Sequence, residues 1–299
     1  MSAPQPEVSV VVPVHQAART LPALLERLER QTLDRARFEV LIVDDASRDG
    51  TAEVAAASPL TRVIRTDRNA GSYAARNRGI VEARGRHLAF TDGDCLPALD
   101  WLEQGLRSLA ESDADLVAGR VDIVLGERPR SFALLDAARH LDQRSYASRG
   151  YGATANLWVR RQAIERHGSF NARLRAGGDA EFGRRAVAGG ARLVYSDAVR
   201  VEHPARSGIG EFLEKEFRYG YSLAQRRFHV DPAQPLLWLH PRAYRFSRRI
   251  DGLERLAERG YEPSPARRSA MLVQIYLFCR LPRLAGNCVG TLSELRRAG

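Results

Sequence analysis

The chain begins with a valine-rich run, Val8 to Val12, stopped by Pro13, and follows it with a second short apolar run, Phe38 to Val43, stopped by acids. Between them Leu21, Leu24, Leu25 and Leu28 recur at the spacing of one helical face, and Thr20 and Pro22 fit a helix start. This is the pattern of a β-α-β unit. Arg62 to Arg65 reads as a further strand, Ser72 to Arg84 as a helix and His87 to Phe90 as a strand; Pro97 opens a helix carrying Leu99, Leu102, Leu106 and Leu109. Short apolar strands alternating with amphipathic helices predict an α/β fold with a mainly parallel, helix-covered sheet.

A length of 299 residues with 44% hydrophobic content bounds the architecture to one large domain with an appendage, or two domains. After Pro204 the pattern changes. Glu211 to Arg227 and Asp251 to Arg259 read as charged helices, with a Pro-containing stretch around 231–241 between them. The last apolar stretch, Met271 to Leu284, is interrupted by Arg280, Pro282 and Arg283, too short and too charged for a membrane span; it reads either as a helix packed on the domain or as one lying at a membrane interface. Of the formal charge of +10, residues 204–299 carry 17 Arg or Lys against 9 acids. G and C codon bias accounts for a preference for arginine, but not for its clustering, and clustering points to an anionic partner. Cys95, Cys279 and Cys288 form neither a metal-ligand spacing nor a disulfide framework, which favours a reducing compartment. The first seven residues do not read as a secretory signal, so a cytoplasmic location is expected.

Chemistry concentrates where strands end. Asp92-Gly93-Asp94 follows His87 to Phe90, and in extended backbone two acids at i and i+2 face the same volume. There they suit a divalent cation that takes its remaining oxygens from a diphosphate, although Asp-Gly-Asp is also ordinary turn chemistry. Asp44 and Asp45 close the second strand, where an acid can accept a bond from a base N–H or a ribose hydroxyl, while Asp49 caps the next helix. In the loop from Asn69, Gly71 allows close backbone approach; the helix after it presents free N–H groups to a diphosphate, and Arg76 one turn in could complete the charge match.

The order of these segments resembles the family 2 glycosyltransferases of the GT-A fold. It runs from a Val-Val-Pro-Val strand through Val-Asp-Asp-x-Ser-x-Asp-Gly-Thr and Asn-x-Gly with Ala-Arg-Asn-x-Gly to Phe-Thr-Asp-Gly-Asp, and the likeness covers about residues 7 to 205. The resemblance implies a GT-A domain over 1–204, with a nucleotide-binding half (1–110) and an acceptor half (111–204), followed by a basic α-helical extension over 205–299. It implies that Pro13, Val14, His15, Asp44, Asp45, Asn69, Gly71, Arg76, Asp92, Gly93 and Asp94 bind a nucleotide-diphospho-sugar, Asp45 reading the base, Asp92 meeting the ribose and Asp94 holding Mn²⁺ or Mg²⁺. His203 is a further expected metal ligand, with a plain loop residue before Pro204 as the alternative.

In the acceptor half the resemblance implies Asp179 as the general base of an inverting reaction, with Glu181 as fallback and Asn156, Trp158, Gly178 and Glu181 near the acceptor. Asp179 at a helix start also reads as an N-cap, and Trp158 equally as a core aromatic. The chain departs from the family in one place: a Glu-Asp pair normally stands where it has Gly178-Asp179. That gap leaves open a catalytically silent nucleotide-sugar binder. No Gln-x-x-Arg-Trp is present, Gln225-Arg-Arg-Phe228 being nearest, so transfer of one sugar per encounter is expected rather than polymerisation. The acceptor is expected to be a hydroxyl on a lipid-linked or envelope glycan, with peripheral contact to an anionic membrane at its inner face; a soluble natural product or peptide is the alternative. The net charge would also permit a nucleic-acid partner, but no recognised nucleic-acid motif is present, and none is expected.

Overall fold

In a computed structural model, residues 5–126, 131–206, 208–233, 253–258 and 261–298 are described. The chain runs β1 (Val8–Val14), α1 (Leu21–Glu29), β2 (Phe38–Asp44), α2 (Thr51–Ala57), β3 (Thr61–Arg65), α3 (Ser72–Glu82), β4 (His87–Phe90), β5 (Leu96–Pro97), α4 (Trp101–Ser112), β6 (Leu116–Val124), α5 (Ser131–Arg139), α6 (Gln143–Ala147), β7 (Leu157–Arg160), α7 (Arg161–His167), α8 (Gly178–Ala188), β8 (Leu193–Pro204), α9 (Ile209–His229), α10 (Leu253–Glu258), α11 (Pro265–Gln274) and α12 (Leu281–Ala298). It divides into two compact units. The first comprises Met1–Asp122, Leu141–Ala172 and Gly178–His203, and the second Ile123–His140, Arg173–Gly177 and Pro204–Gly299.

The sheet of the first unit has the order β3-β2-β1-β4-β7-β6-β8-β5. β3, β2, β1 and β4 are parallel, as crossover helices require. From β4 onward the pairing β4–β7, β7–β6 and β8–β5 is antiparallel, so the expected parallel character belongs to the nucleotide-side half and the sheet as a whole is mixed. Every residue of β1 and β2 is buried, consistent with strands covered on both faces. The chain first adds β2 and β3 on one side of β1 and then crosses to place β4 on the other, which makes the β1/β4 boundary a topological switch point where α/β sheets form ligand crevices.

Pro97 does not open a helix. It lies in the two-residue strand β5, opposite Val201, and α4 starts at Trp101 with Leu99 outside it. Helix α3 lies flush on the sheet because position 79 carries no side chain: a Cβ there would stand 2.4 Å from Val11 Cγ1. Asn77 then pins the helix to the loop after α7, donating to the Phe170 carbonyl (2.7 Å) and accepting from its N–H (3.1 Å).

In the second unit α9 and α12 approach backbone to backbone. A Cβ at Gly220 would lie 2.0 Å from the Arg283 carbonyl, and one at Gly286 2.0 Å from that of Phe217. Part of the basic charge is spent internally. Asp136, without exposed surface, binds Lys215 at 2.6 Å and faces Arg206; Glu216 pairs with Arg283, and Glu294 with His229. Burial would raise the Asp136 carboxyl, but Lys215 and Arg206 hold it below its ordinary range. α11 passes into α12 through a π-helical turn, Ile275–Arg280, just before Pro282, which lacks an N–H and crowds the preceding turn. Met271, Ile275, Cys279 and Leu284 face inward from this helical run. Most of the Pro-containing stretch around 231–241 and both ends of the helix expected over 251–259 lie outside the described residues; α10 covers the rest.

Candidate active site

The ends of β1, β2 and β4 converge at the switch point. The Asp45 N–H bonds the Val14 carbonyl (2.8 Å), and His15 Nδ1 meets the Asp45 carbonyl (2.8 Å). Gly93 packs against Val14, so closely that a Cβ would lie 2.8 Å from Val14 Cγ1. Gly71, just ahead of α3, has φ 95°, a conformation that glycine adopts without strain.

The loop that leads into α3 and the first two turns of the helix tie down three acids from three parts of the chain. Asp45 Oδ2 accepts the N–H of Gly71 (2.8 Å), and its Oδ1 accepts the Ala70 N–H and the Thr66 hydroxyl (3.0 Å each). Arg76, one turn further, ion-pairs with Asp92. Tyr73, on the same helix face as Arg76 at i,i+3, donates its hydroxyl to Asp179 Oδ1 (3.1 Å), and the Arg76 guanidinium lies 5.5 Å from its ring centroid. From residue 71 to residue 76 a helix rises roughly 8 Å. Tyr73 was not singled out from the sequence, where an aromatic on a helix reads as core; its spacing from Arg76 behind Gly71 was the available signal.

Asp92, Asp94, Cys95 and His203 form a second cluster, with one potential ligand atom from each lying within 4.8 Å of the others. Asp94 Oδ2 is 3.7 Å from His203 Nε2, and β8 delivers His203 next to β5. The sequence spacing offered no metal pattern for Cys95, but folding brings its sulfur into this group. Burial first, and the Asp92 and Asp94 charges next, hold the Cys95 thiol well above its ordinary range. Two carboxylates and an imidazole suit a hard or borderline divalent cation such as Mn²⁺ or Mg²⁺, so the donor set fits.

Burial raises the Asp179 carboxyl above its usual range; the Ala180 N–H, the Arg76 charge, the Tyr73 hydroxyl and the Thr154 backbone pull it back down. Its Oδ1 also accepts the Ala180 N–H (2.9 Å). Burial, and then the Asp179 charge, push the Tyr73 hydroxyl far above the ordinary phenol range, which keeps it a donor.

Several expected contacts do not fit this geometry. Trp158 has no exposed surface and meets Trp101 edge-on, with ring centroids 5.2 Å apart, so it is a core aromatic and not a sugar platform. Asn156 is fully buried, accepting from Trp101 Nε1 (2.9 Å) and donating to the Arg120 and Val199 carbonyls (2.8 Å each), which assigns it to the core rather than to an acceptor. Asp44 is fully buried and accepts the Ser47 N–H (3.0 Å), shaping the turn rather than reaching a ligand. Arg76, like Asp45, is 3% exposed, and it is engaged by Asp92, which it braces. Glu181 is held by Arg185 at 2.7 Å. Asp49 accepts the Thr51 N–H (3.2 Å) at the start of α2, next to Gly50, which occupies the cap position. Pro13 and Val14 are buried, while His15 and Asn69 are exposed.

Residues 9–176 match the family model described as Glycosyl transferase family 2. Among curated relatives, the glycosyltransferase AglE of Haloferax volcanii is 36% identical over 225 residues, 74% of this chain and 74% of the relative. The dolichyl-phosphate beta-glucosyltransferase of Homo sapiens is 30% identical over 170 residues, 52% of this chain and 48% of that protein, so the match spans about half its length. Among solved structures, the mannosyltransferase PcManGT of Pyrobaculum calidifontis, in complex with GDP-Man and Mn²⁺, superposes with a TM-score of 0.57 at 19% identity, covering 99% of this chain and 76% of that one. S. aureus TarS 1-349 with UDP gives 0.56 at 17% identity, covering 97% and 92%. At such identities these two structures speak for the GT-A fold.

Proposed function

Because the chain belongs to glycosyl transferase family 2 and is therefore a glycosyltransferase, we propose that it moves one sugar from a nucleotide-diphospho-sugar to an acceptor hydroxyl, non-processively and with inversion. The observation that carries this reading is that the loop before α3 holds Asp45 while the first two turns of α3 hold Asp92 and Asp179, so that donor-side and acceptor-side acids gather about a single helix start.

On the donor side, three of roughly four acceptor positions of the Asp45 carboxylate are filled by Thr66, Ala70 and Gly71, leaving one on Oδ2 for a base N–H or a ribose hydroxyl. The N-terminus of α3 offers N–H groups and a positive dipole end to the diphosphate. Asp94 and His203, with Asp92 and Cys95 beside them, would hold Mn²⁺ or Mg²⁺. A cation there supplies Lewis-acid stabilisation to the departing nucleoside diphosphate. On the acceptor side, Asp179 takes the proton of the attacking hydroxyl. A single displacement at the anomeric carbon turns an α-linked donor into a β-linked product. With a donor panel and Mn²⁺, NMR of the product is expected to show the anomeric configuration opposite to the donor's. A retained configuration would contradict the single displacement.

The acceptor side extends to a lipid-linked hydroxyl and peripheral contact with an anionic bilayer. Among the described residues no helix is long and apolar enough to cross a membrane. Opposite the buried face of α11 and α12, however, Val273, Leu277, Leu281, Val289, Leu292 and Leu295 are each 43–54% exposed and succeed one another at helical spacing. Arg267, Arg268, Arg296 and Arg297 are exposed at its two ends, and the only acid between 265 and 298, Glu294, is buried against His229 and Arg297. An apolar stripe with purely basic flanks complements anionic lipid. Anionic vesicles are expected to sediment the protein at low salt and release it as salt rises, and Leu292→Glu to weaken this. Absence of vesicle binding at low salt would favour a soluble acceptor.

A further inference from the structure

The family resemblance puts a Glu before the base, and this chain has Gly178 there. The space such a side chain would need is taken. A Cβ at position 178 would lie 2.8 Å from both Cδ2 and Cε2 of Tyr73 and 3.0 Å from its Cγ. The ring has little room to yield: Tyr73 is 6% exposed, Phe170 lies 5.8 Å away centroid to centroid, and the Arg76 guanidinium lies 5.5 Å from its ring centroid.

We propose that Tyr73 replaces the missing carboxylate companion and is the positioning residue for Asp179. Its ring fills the volume at position 178, and its hydroxyl joins the Ala180 N–H on Oδ1, so that proton uptake from the acceptor falls to Oδ2. The same helix carries Arg76, which braces Asp92, so donor-side and acceptor-side acids are set by one rigid element. This assignment rests on the glycosyltransferase reading of the site and adds to it a residue that the family pattern does not supply.

Tyr73→Phe keeps the ring over Gly178 and removes only the donor. Turnover is expected to fall about tenfold or more with donor KM unchanged, since a hydrogen bond to a charged group is lost. The acid limb of the pH profile is expected to move to higher pH, because the Tyr73 hydroxyl is one of the groups that favour the charged carboxylate, and its loss leaves only the Ala180 N–H, the Arg76 charge and the Thr154 backbone to oppose burial. A ¹³C titration of the Asp179 carboxyl reads the same shift without turnover. An unchanged titration, or an unchanged pH profile and turnover, would overturn the assignment. The steric exchange has its own test: Gly178→Glu alone is expected to lose activity through overlap with the ring, and Tyr73→Ala/Gly178→Glu to exceed both single variants. A double variant no better than the worse single one would overturn the exchange. Should the wild type transfer no sugar to any acceptor, the proposed function fails, and the carboxyl titration still decides the role of Tyr73.

Discussion

Asp179→Asn is expected to lower turnover by at least about 10²-fold, roughly 3 kcal/mol of barrier, with nucleotide binding unchanged. The amide keeps the shape and can still accept the Tyr73 hydroxyl and the Ala180 N–H through its oxygen, but it cannot take a proton. The carboxylate is otherwise well prepared for that task. Burial raises its affinity for protons, as a base requires, and the Ala180 N–H, the Arg76 charge, the Tyr73 hydroxyl and the Thr154 backbone limit the rise. Its raised pKa places the loss of activity on acidification above the ordinary carboxylate range, and that limb should vanish in Asp179→Asn. Near-normal turnover with intact donor binding would remove Asp179 from the base role and reopen the silent-binder alternative.

Asp94→Ala is expected to cost at least as much, about 10²-fold or more, through a different loss. The variant removes the carboxylate that stands 3.7 Å from His203, whereas Asp92 is already committed to Arg76 and the Cys95 thiol is held neutral. One shared carboxylate and an imidazole are a poor site for a hard cation. Turnover in the variant should therefore become independent of Mn²⁺ concentration, with an unchanged melting temperature in the absence of ligand. A variant that keeps its Mn²⁺ response would place the metal elsewhere.

Much of the fold was legible because its first half is built from local signals. The runs of β1 and β2 and the Leu21, Leu24, Leu25, Leu28 face of α1 are each readable within a few residues, and crossover helices dictate the parallel order. Pro97 misled because proline at a helix start is also a local signal, whereas its actual setting depends on Val201, about a hundred residues away. The acids at strand ends were legible as a group. What each one does was less so, since Asp44 and Asp45 are adjacent in the chain yet one shapes a turn and the other clamps the loop before α3. Trp158 and Asn156 carry no mark in the sequence that separates a core residue from a ligand contact; Gly105, opposite the Trp158 indole, shows how tightly that core is closed. Cys95 became visible only once His203 was brought beside it, and the spacing of Tyr73 from Arg76 took on a meaning only once Gly178 and Asp179 lay against its ring and hydroxyl.

One nucleotide-sugar is expected to lie against the acids gathered about the start of α3 and the 92–94 cluster. A thermal-shift panel of nucleoside diphosphates and their sugars, with and without Mn²⁺, detects such binding, because ligand at a hundredfold excess over Kd adds about 2.7 kcal/mol of stability. At least one nucleotide is expected to raise the melting temperature selectively, with the rise larger in Mn²⁺ and the Mn²⁺ increment absent in Asp94→Ala. No selective rise for any nucleotide, with or without the cation, would contradict the account.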